Sequence, residues 1–141
     1  HFVLEVARMV EFSKAEERFL MRNELGRLAT IAPDGMPHVV PVCYIYHAGK
    51  LYVATDYATR KYRNLLANDR VAFVVDVYRP NRGMLVQGKG KILEAGPEFR
   101  EVYGLFHKRF SWVRADPWKE REAPFISVEP ARKVSWGLAS G

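Results

Sequence analysis

The chain has 141 residues, enough for one domain, and its 48% hydrophobic and 13% aromatic content suits a packed core and argues against a disordered chain. A net charge of +6 and an isoelectric point of about 9.6 favour anionic partners such as phosphorylated cofactors, nucleic acid or an acidic membrane surface. The single cysteine, Cys43, excludes an internal disulfide, and no apolar run approaches the roughly 20 residues of a membrane span, so a cytoplasmic location is the expectation.

Ser13-Lys-Ala-Glu16 has capping-box spacing and predicts a helix to about Glu24, with Gly26 as its C-terminal stop. Its apolar positions, Ala15, Phe19 and Leu20, are few, which places it over an opening of a barrel or sheet. Residues 1–25 thus form an N-terminal extension and helix within one domain spanning 1–141. Arg27 to Ala32 reads as a strand, and Pro33-Asp-Gly35 supplies the turn of a hairpin. The returning strand, His38 to Tyr46, contains Pro41, which has no N–H for a ladder. Pro41 marks an edge, a bulge, or a place where something other than a strand lies alongside, a ligand included. His47-Ala-Gly-Lys50 then turns the chain into a strand from Leu51 to Thr55.

Thr59 follows as an N-cap, and Arg60 and Lys61 come immediately after it. The free N–H groups of a first helical turn attract anions, and an Arg fork beside a Lys point charge suits a phosphate monoester. On a helix from Arg60 to Ala67, Tyr62, Leu65 and Leu66 are expected to dock while Arg60, Arg63 and Asn64 face away. A solvated basic helix between two strands is the plain alternative.

Val71 to Tyr78 is nearly all apolar and reads as a strand covered on both faces, with Asp76 as its one charge, in a structural ion pair. Pro80-Asn-Arg-Gly83 is a turn, and Met84 to Leu93 returns with Gly88 and Gly90 on one face and Gln87, Lys89 and Lys91 on the other. From Pro97 the period becomes helical through Phe99, Val102, Tyr103, Phe106 and Phe110. Ser111 to Trp118 is a compact aromatic loop of the kind that contacts ligands or a second subunit. Phe125 to Val128 and Val134 to Trp136 form a last strand, bulged around Pro130. Mostly antiparallel strands with helices at the openings fit a six-stranded closed or split barrel.

His1, His38, His47 and His107 show no metal-ligand spacing, and neither a G-x-S-x-G nucleophile motif nor a dinucleotide or Walker loop occurs. Any chemistry is therefore expected from a bound organic cofactor, with no catalytic side chain assignable and no metal.

The run Val53-Ala-Thr-Asp-Tyr-Ala-Thr-Arg-Lys61, then Asn64-Leu65, Asp69-Arg-Val-Ala-Phe73 and Gln87-Gly-Lys-Gly90, resembles the pyridoxamine 5′-phosphate oxidase-like, FMN-binding split-barrel family over about residues 25 to 137. The resemblance implies a homodimer of six-stranded split barrels with FMN in clefts at the subunit interface. It implies that Thr59, Arg60 and Lys61 hold the FMN phosphate and that Thr55 lies beside the cofactor. It also places the strand Val39, Val40, Pro41 and Val42 against the flavin ring, with Gln87 and Trp136 as further contacts. Arg109 and Trp112 are expected to reach the partner's flavin. The sequence ends at Gly141 without the Arg/His segment that follows the tryptophan in the true oxidases, so vitamin B6 oxidation is not expected. The leading expectation is an FMN-dependent oxidoreductase acting on a small molecule. The rivals are a non-catalytic barrel holding a flavin, a deazaflavin or haem, and a basic barrel binding single-stranded nucleic acid through Tyr44, Tyr46 and Trp112.

Overall fold

The computed structural model describes residues 10–139, and within them six strands close into an antiparallel barrel. Helix α1 (Lys14–Arg22) precedes β1 (Leu25–Ile31), β2 (Pro37–His47) and β3 (Lys50–Ala54). Helix α2 (Arg60–Ala67) leads into β4 (Arg70–Val77) and β5 (Arg82–Leu93). Helices α3 (Pro97–Arg109) and α4 (Ser111–Ala115) then lead to β6 (Phe125–Trp136). Around the barrel the order is β1-β2-β3-β6-β5-β4, with β4 returning to β1.

Alternation along the strands builds the interior: Leu28, Tyr44, Val53, Phe73, Met84 and Ile126 all point inward and are buried. Helix α1 closes one opening. Ser13 and Glu16 form the expected capping box, with Ser13 N–H on Glu16 Oε1 at 2.9 Å and Glu16 N–H on Ser13 Oγ at 3.1 Å. Phe19 and Leu20 plug the barrel, each contributing about 1.5–3 kcal/mol by burial. At the end of α1 the buried Tyr44 hydroxyl donates to the Leu20 carbonyl at 2.6 Å. A second core lies outside the barrel, where Phe99, Val102 and Phe106 of α3 and Val113 of α4 cover Ile45, Tyr52 and Phe125.

Three local expectations change. Helix α1 stops at Arg22, and Gly26 lies inside β1, where an added Cβ would sit 2.4 Å from the Phe73 ring. The packing of that ring, and not a helix stop, explains the glycine. Strand β4 is buried on alternate residues only, because Ala72 and Val74 face outward and are half-covered. Its Asp76 does pair with Arg27, at 2.7 Å. The aromatic loop is partly helical, as α4. As expected, the two terminal segments form one strand, β6, with its bulge beside Pro130, opposite Gln87 and Gly88.

Strand β2 positions the site. It pairs with β1 from Pro37 to Cys43 but with β3 only from Tyr44 to His47, so its first half has one open edge. Tyr44 N–H donates to Glu24 O at 3.0 Å, toward the β1 side. By alternation the backbone groups of Val39, Pro41 and Cys43 face the open edge, where the missing N–H of Pro41 breaks no ladder bond.

Candidate functional site

Beyond Ala54 the chain leaves the sheet, with Thr55 N–H donating to Pro124 O at 3.2 Å. Asp56 turns it: its carboxylate accepts from Ala58 N–H at 2.8 Å, and its carbonyl accepts from the Thr59 hydroxyl at 3.0 Å. Thr59 caps α2, accepting from Tyr62 N–H at 3.3 Å, and its hydroxyl lies 2.7 Å from that of Thr55. Arg63 N–H is taken by the Thr59 carbonyl at 3.2 Å. The N–H groups of Arg60 and Lys61, at the first two helical positions, have no acceptor within the helix.

Lys61 turns into this corner. It is half-buried and, among the described residues, forms no ion pair. Burial lowers its pKa from the ordinary lysine value, opposed by the Asp56 carboxylate. A half-buried ammonium lining the same cleft as two hydroxyls, at a helix start with two free amides, has the chemistry to accept an anion. The corner opens into a cleft of about 720 Å³ lined by Thr55, Asp56, Thr59, Lys61, Trp112 and Trp118. The two indoles run parallel, 8° apart with centroids 6.4 Å apart, and both line the cleft. The Trp118 indole N–H donates to Ala123 O at 3.1 Å, while buried Val113 anchors α4 and with it Trp112.

The docking of α2 differs from the expected face. Leu65 is buried but Leu66 is 65% exposed, and Asn64 is buried with its amide donating to the Thr30 hydroxyl at 3.0 Å. Arg60 is exposed and lies outside the cleft lining. Thr55, Thr59 and Lys61 are therefore brought together, and Arg60 is not.

The open edge of β2 runs beside this corner, since the Tyr44–Val53 pairing puts Val42 opposite Thr55 at the point where the strands part. Val42 points into the core, Val40 packs against it, Pro41 is exposed and Val39 is 63% exposed. Cys43, next along, has its thiol pKa raised by burial and by Glu24, with Trp112 opposing. Gln87 lines a separate cleft of about 500 Å³ with Thr30, Lys89 and Arg132. Trp136 lies at the far end of β6, where its ring occupies the space a Gly83 side chain would need. Arg109 is bound into the scaffold: it donates to Met21 O at 2.8 Å, Asn23 O at 3.3 Å and the Glu24 carboxylate at 3.2 Å, tying down the end of α1. Sequence reasoning missed Asp56 as a cleft residue, although its Asx-turn spacing before a capped helix was visible, while Trp118 ends the aromatic loop expected to contact a ligand.

Among the described residues no group of three His, Cys, Asp or Glu could hold a metal, and no helix is long and apolar enough to cross a membrane. Residues 12–135 match the family profile described as pyridoxamine 5′-phosphate oxidase. The chain belongs to the pyridoxamine 5′-phosphate oxidase-like split-barrel family. One relative of this family member is the 5a,11a-dehydrotetracycline/5a,11a-dehydrooxytetracycline reductase of Streptomyces rimosus, 32% identical over 136 residues, covering 90% of this chain and 84% of that one. A conserved hypothetical protein of Mycobacterium tuberculosis shares the fold at a TM-score of 0.70 with 26% identity, covering 95% of this chain and 89% of that one. An F420 reductase matches at a TM-score of 0.65 with 26% identity over 84% of this chain and 94% of its own. The haem storage protein of Vibrio cholerae, 16% identical, has the same pyridoxamine 5′-phosphate oxidase-like fold at a TM-score of 0.73, covering 88% of this chain and 92% of its own.

Proposed function

We propose that the protein is an oxidoreductase that binds a flavin-type cofactor, with FMN as the first choice, and reduces a conjugated small molecule. The half-buried Lys61, in no ion pair among the described residues and lining one cleft with Thr55 and Thr59 at the start of α2, carries this reading. These groups would hold the phosphate of the cofactor tail, and the open edge of β2 from Val39 to Cys43 would lie along the ring. When bound and reduced, such a cofactor supplies a hydride, and solvent supplies the balancing proton. The chain's own side chains orient and shield: Trp112 and Trp118 wall off the cleft, and the Asp56 carboxylate is spent on the turn.

The similarity to a dehydrotetracycline reductase supports reduction over oxidation. The similarity to an F420 reductase supports a second reading in which the cofactor is a deazaflavin. Two chains would share each site, the partner supplying its Gln87 and Trp136 positions. The exposed apolar side chains of Leu25 on β1, Val39 on β2 and Met36 in the turn between them support such a homodimer.

The test is an absorption spectrum of the purified protein, mass identification of any released ligand, and titration with FMN and with F420. Tight binding of either, followed by reoxidation of the reduced form by an acceptor, is the expected outcome. Protein that binds neither cofactor refutes the reading, and binding without turnover leaves only a carrier.

A further inference from the structure

We infer that the protein carries a second anion site, away from the α2 cleft, in which Arg18, Arg22 and Arg82 hold the phosphoryl group of a small molecule. A pocket of about 140 Å³ lies between α1 and the chain beyond β6, lined by these three residues with Ala15, Phe19 and Leu138. Arg18 and Arg22 are one helical turn apart on the same face of α1, an arrangement in which like charges repel. Arg82 brings a third guanidinium to them, its Cζ 5.8 Å from the centre of the Phe19 ring.

Among the described residues no carboxylate pairs with this concentration of charge. The carboxylates of α1 are committed elsewhere: Glu16 to Lys133 and Ser135, Glu17 to the Tyr46 hydroxyl. Among the described residues the buried Arg82 Nε has no acceptor, which is costly unless an anion supplies one.

The wall is fixed as well. Gly137, at φ 70°, is pressed so close that a Cβ there would lie 2.2 Å from Asn81 O, holding the chain against Arg82. Three planar forks around a pocket this small match the three terminal oxygens of a phosphoryl group better than the two of a carboxylate. The rest of an ester would extend into solvent.

Because the α2 corner is also proposed to take phosphate, the test removes it first. Inorganic phosphate and phenyl phosphate are titrated calorimetrically, at constant ionic strength set with chloride, into K61A and into K61A carrying R18A/R22A. Both arginines lie on the exposed face of α1, and R18K/R22K keeps the charge while removing the forks. Saturable binding to K61A is expected, about tenfold or more weaker with R18A/R22A and also weakened with R18K/R22K. Tighter binding of phenyl phosphate identifies an ester as the ligand, and preference for inorganic phosphate identifies the free ion. No binding to K61A, or equal binding after R18A/R22A, overturns the site. Cofactor titrations of R18A/R22A with Lys61 intact report separately on the α2 cleft.

Discussion

Lys61→Ala and Arg60→Ala are predicted to differ, although the two cations are adjacent in sequence. Lys61 lines the cleft half-buried and forms no ion pair among the described residues, whereas Arg60 is exposed and outside the lining. Removing Lys61 deletes a charge-assisted hydrogen bond in a partly desolvated corner, worth about 1.5–3 kcal/mol. That is roughly a 10- to 150-fold rise in Kd for a phosphate-bearing flavin or deazaflavin. Arg60 acts through solvent and is worth about 0–1 kcal/mol, at most roughly fivefold. Fluorescence titrations of both variants with FMN and F420 at low and at physiological salt measure the contrast. Added salt should shrink the Arg60 effect more than the Lys61 effect, because exposed charges are screened more completely. An Arg60→Ala loss equal to or larger than that of Lys61→Ala would refute the reasoning, since it would mean that the phosphate sits outside the corner.

Three further substitutions test how the barrel holds the site. Glu16 has a lowered pKa: burial alone would raise it, but hydrogen bonds from Lys133, the Ser13 N–H and Ser135 outweigh that effect. A depressed carboxylate stabilises above its unfolded pKa and loses that contribution as pH falls through the folded value. Glu16→Gln should therefore lower urea stability by about 1–3 kcal/mol at neutral pH, with the gap closing below about pH 4; a gap independent of pH would contradict this. Asn64→Ala leaves the buried Thr30 hydroxyl without its donor and should cost about 1–3 kcal/mol, whereas Asn64→Leu with Thr30→Val should cost much less. Arg109→Ala frees two carbonyls at the end of α1 and should destabilise by about 1–2 kcal/mol without changing cofactor Kd; a weakened Kd at unchanged stability would restore the sequence-based expectation for this residue.

Signals confined to one turn or one hairpin were legible in the sequence. Thr59 capped α2 at the expected residue, the Ser13/Glu16 box started α1, and Pro33-Asp-Gly35 made the first hairpin, because each depends only on groups within a few residues. Gly26 was read as a helix stop for want of the one fact that explains it, a phenylalanine ring from β4 arriving 47 positions later in the chain. The number of strands and the pairs β1-β2, β2-β3 and β4-β5 were legible too, since turn chemistry and alternation mark hairpin neighbours, whereas the closing pairs β3-β6, β5-β6 and β1-β4 join strands distant in the chain.

Which of two adjacent cations enters the cleft was not legible, and the reason lies in the docking of α2. Successive helical residues point about 100° apart, so the rotation of α2 alone decides whether Arg60 or Lys61 turns inward. That rotation is set by two distant partners. Leu65 seats where Gly90 on β5 has no side chain, an added Cβ there falling 2.8 Å from Leu65 Cδ2 and 3.1 Å from Val71 Cγ1. Asn64 is drawn in by the hydroxyl of Thr30 on β1. Periodicity grouped Leu66 with Leu65 by hydrophobicity, but a buried hydroxyl at the barrel mouth needs a donor, and an amide supplies one where a leucine cannot. The polar pair thus fixes the helix face, and the helix face selects Lys61 as the cation that lines the cleft.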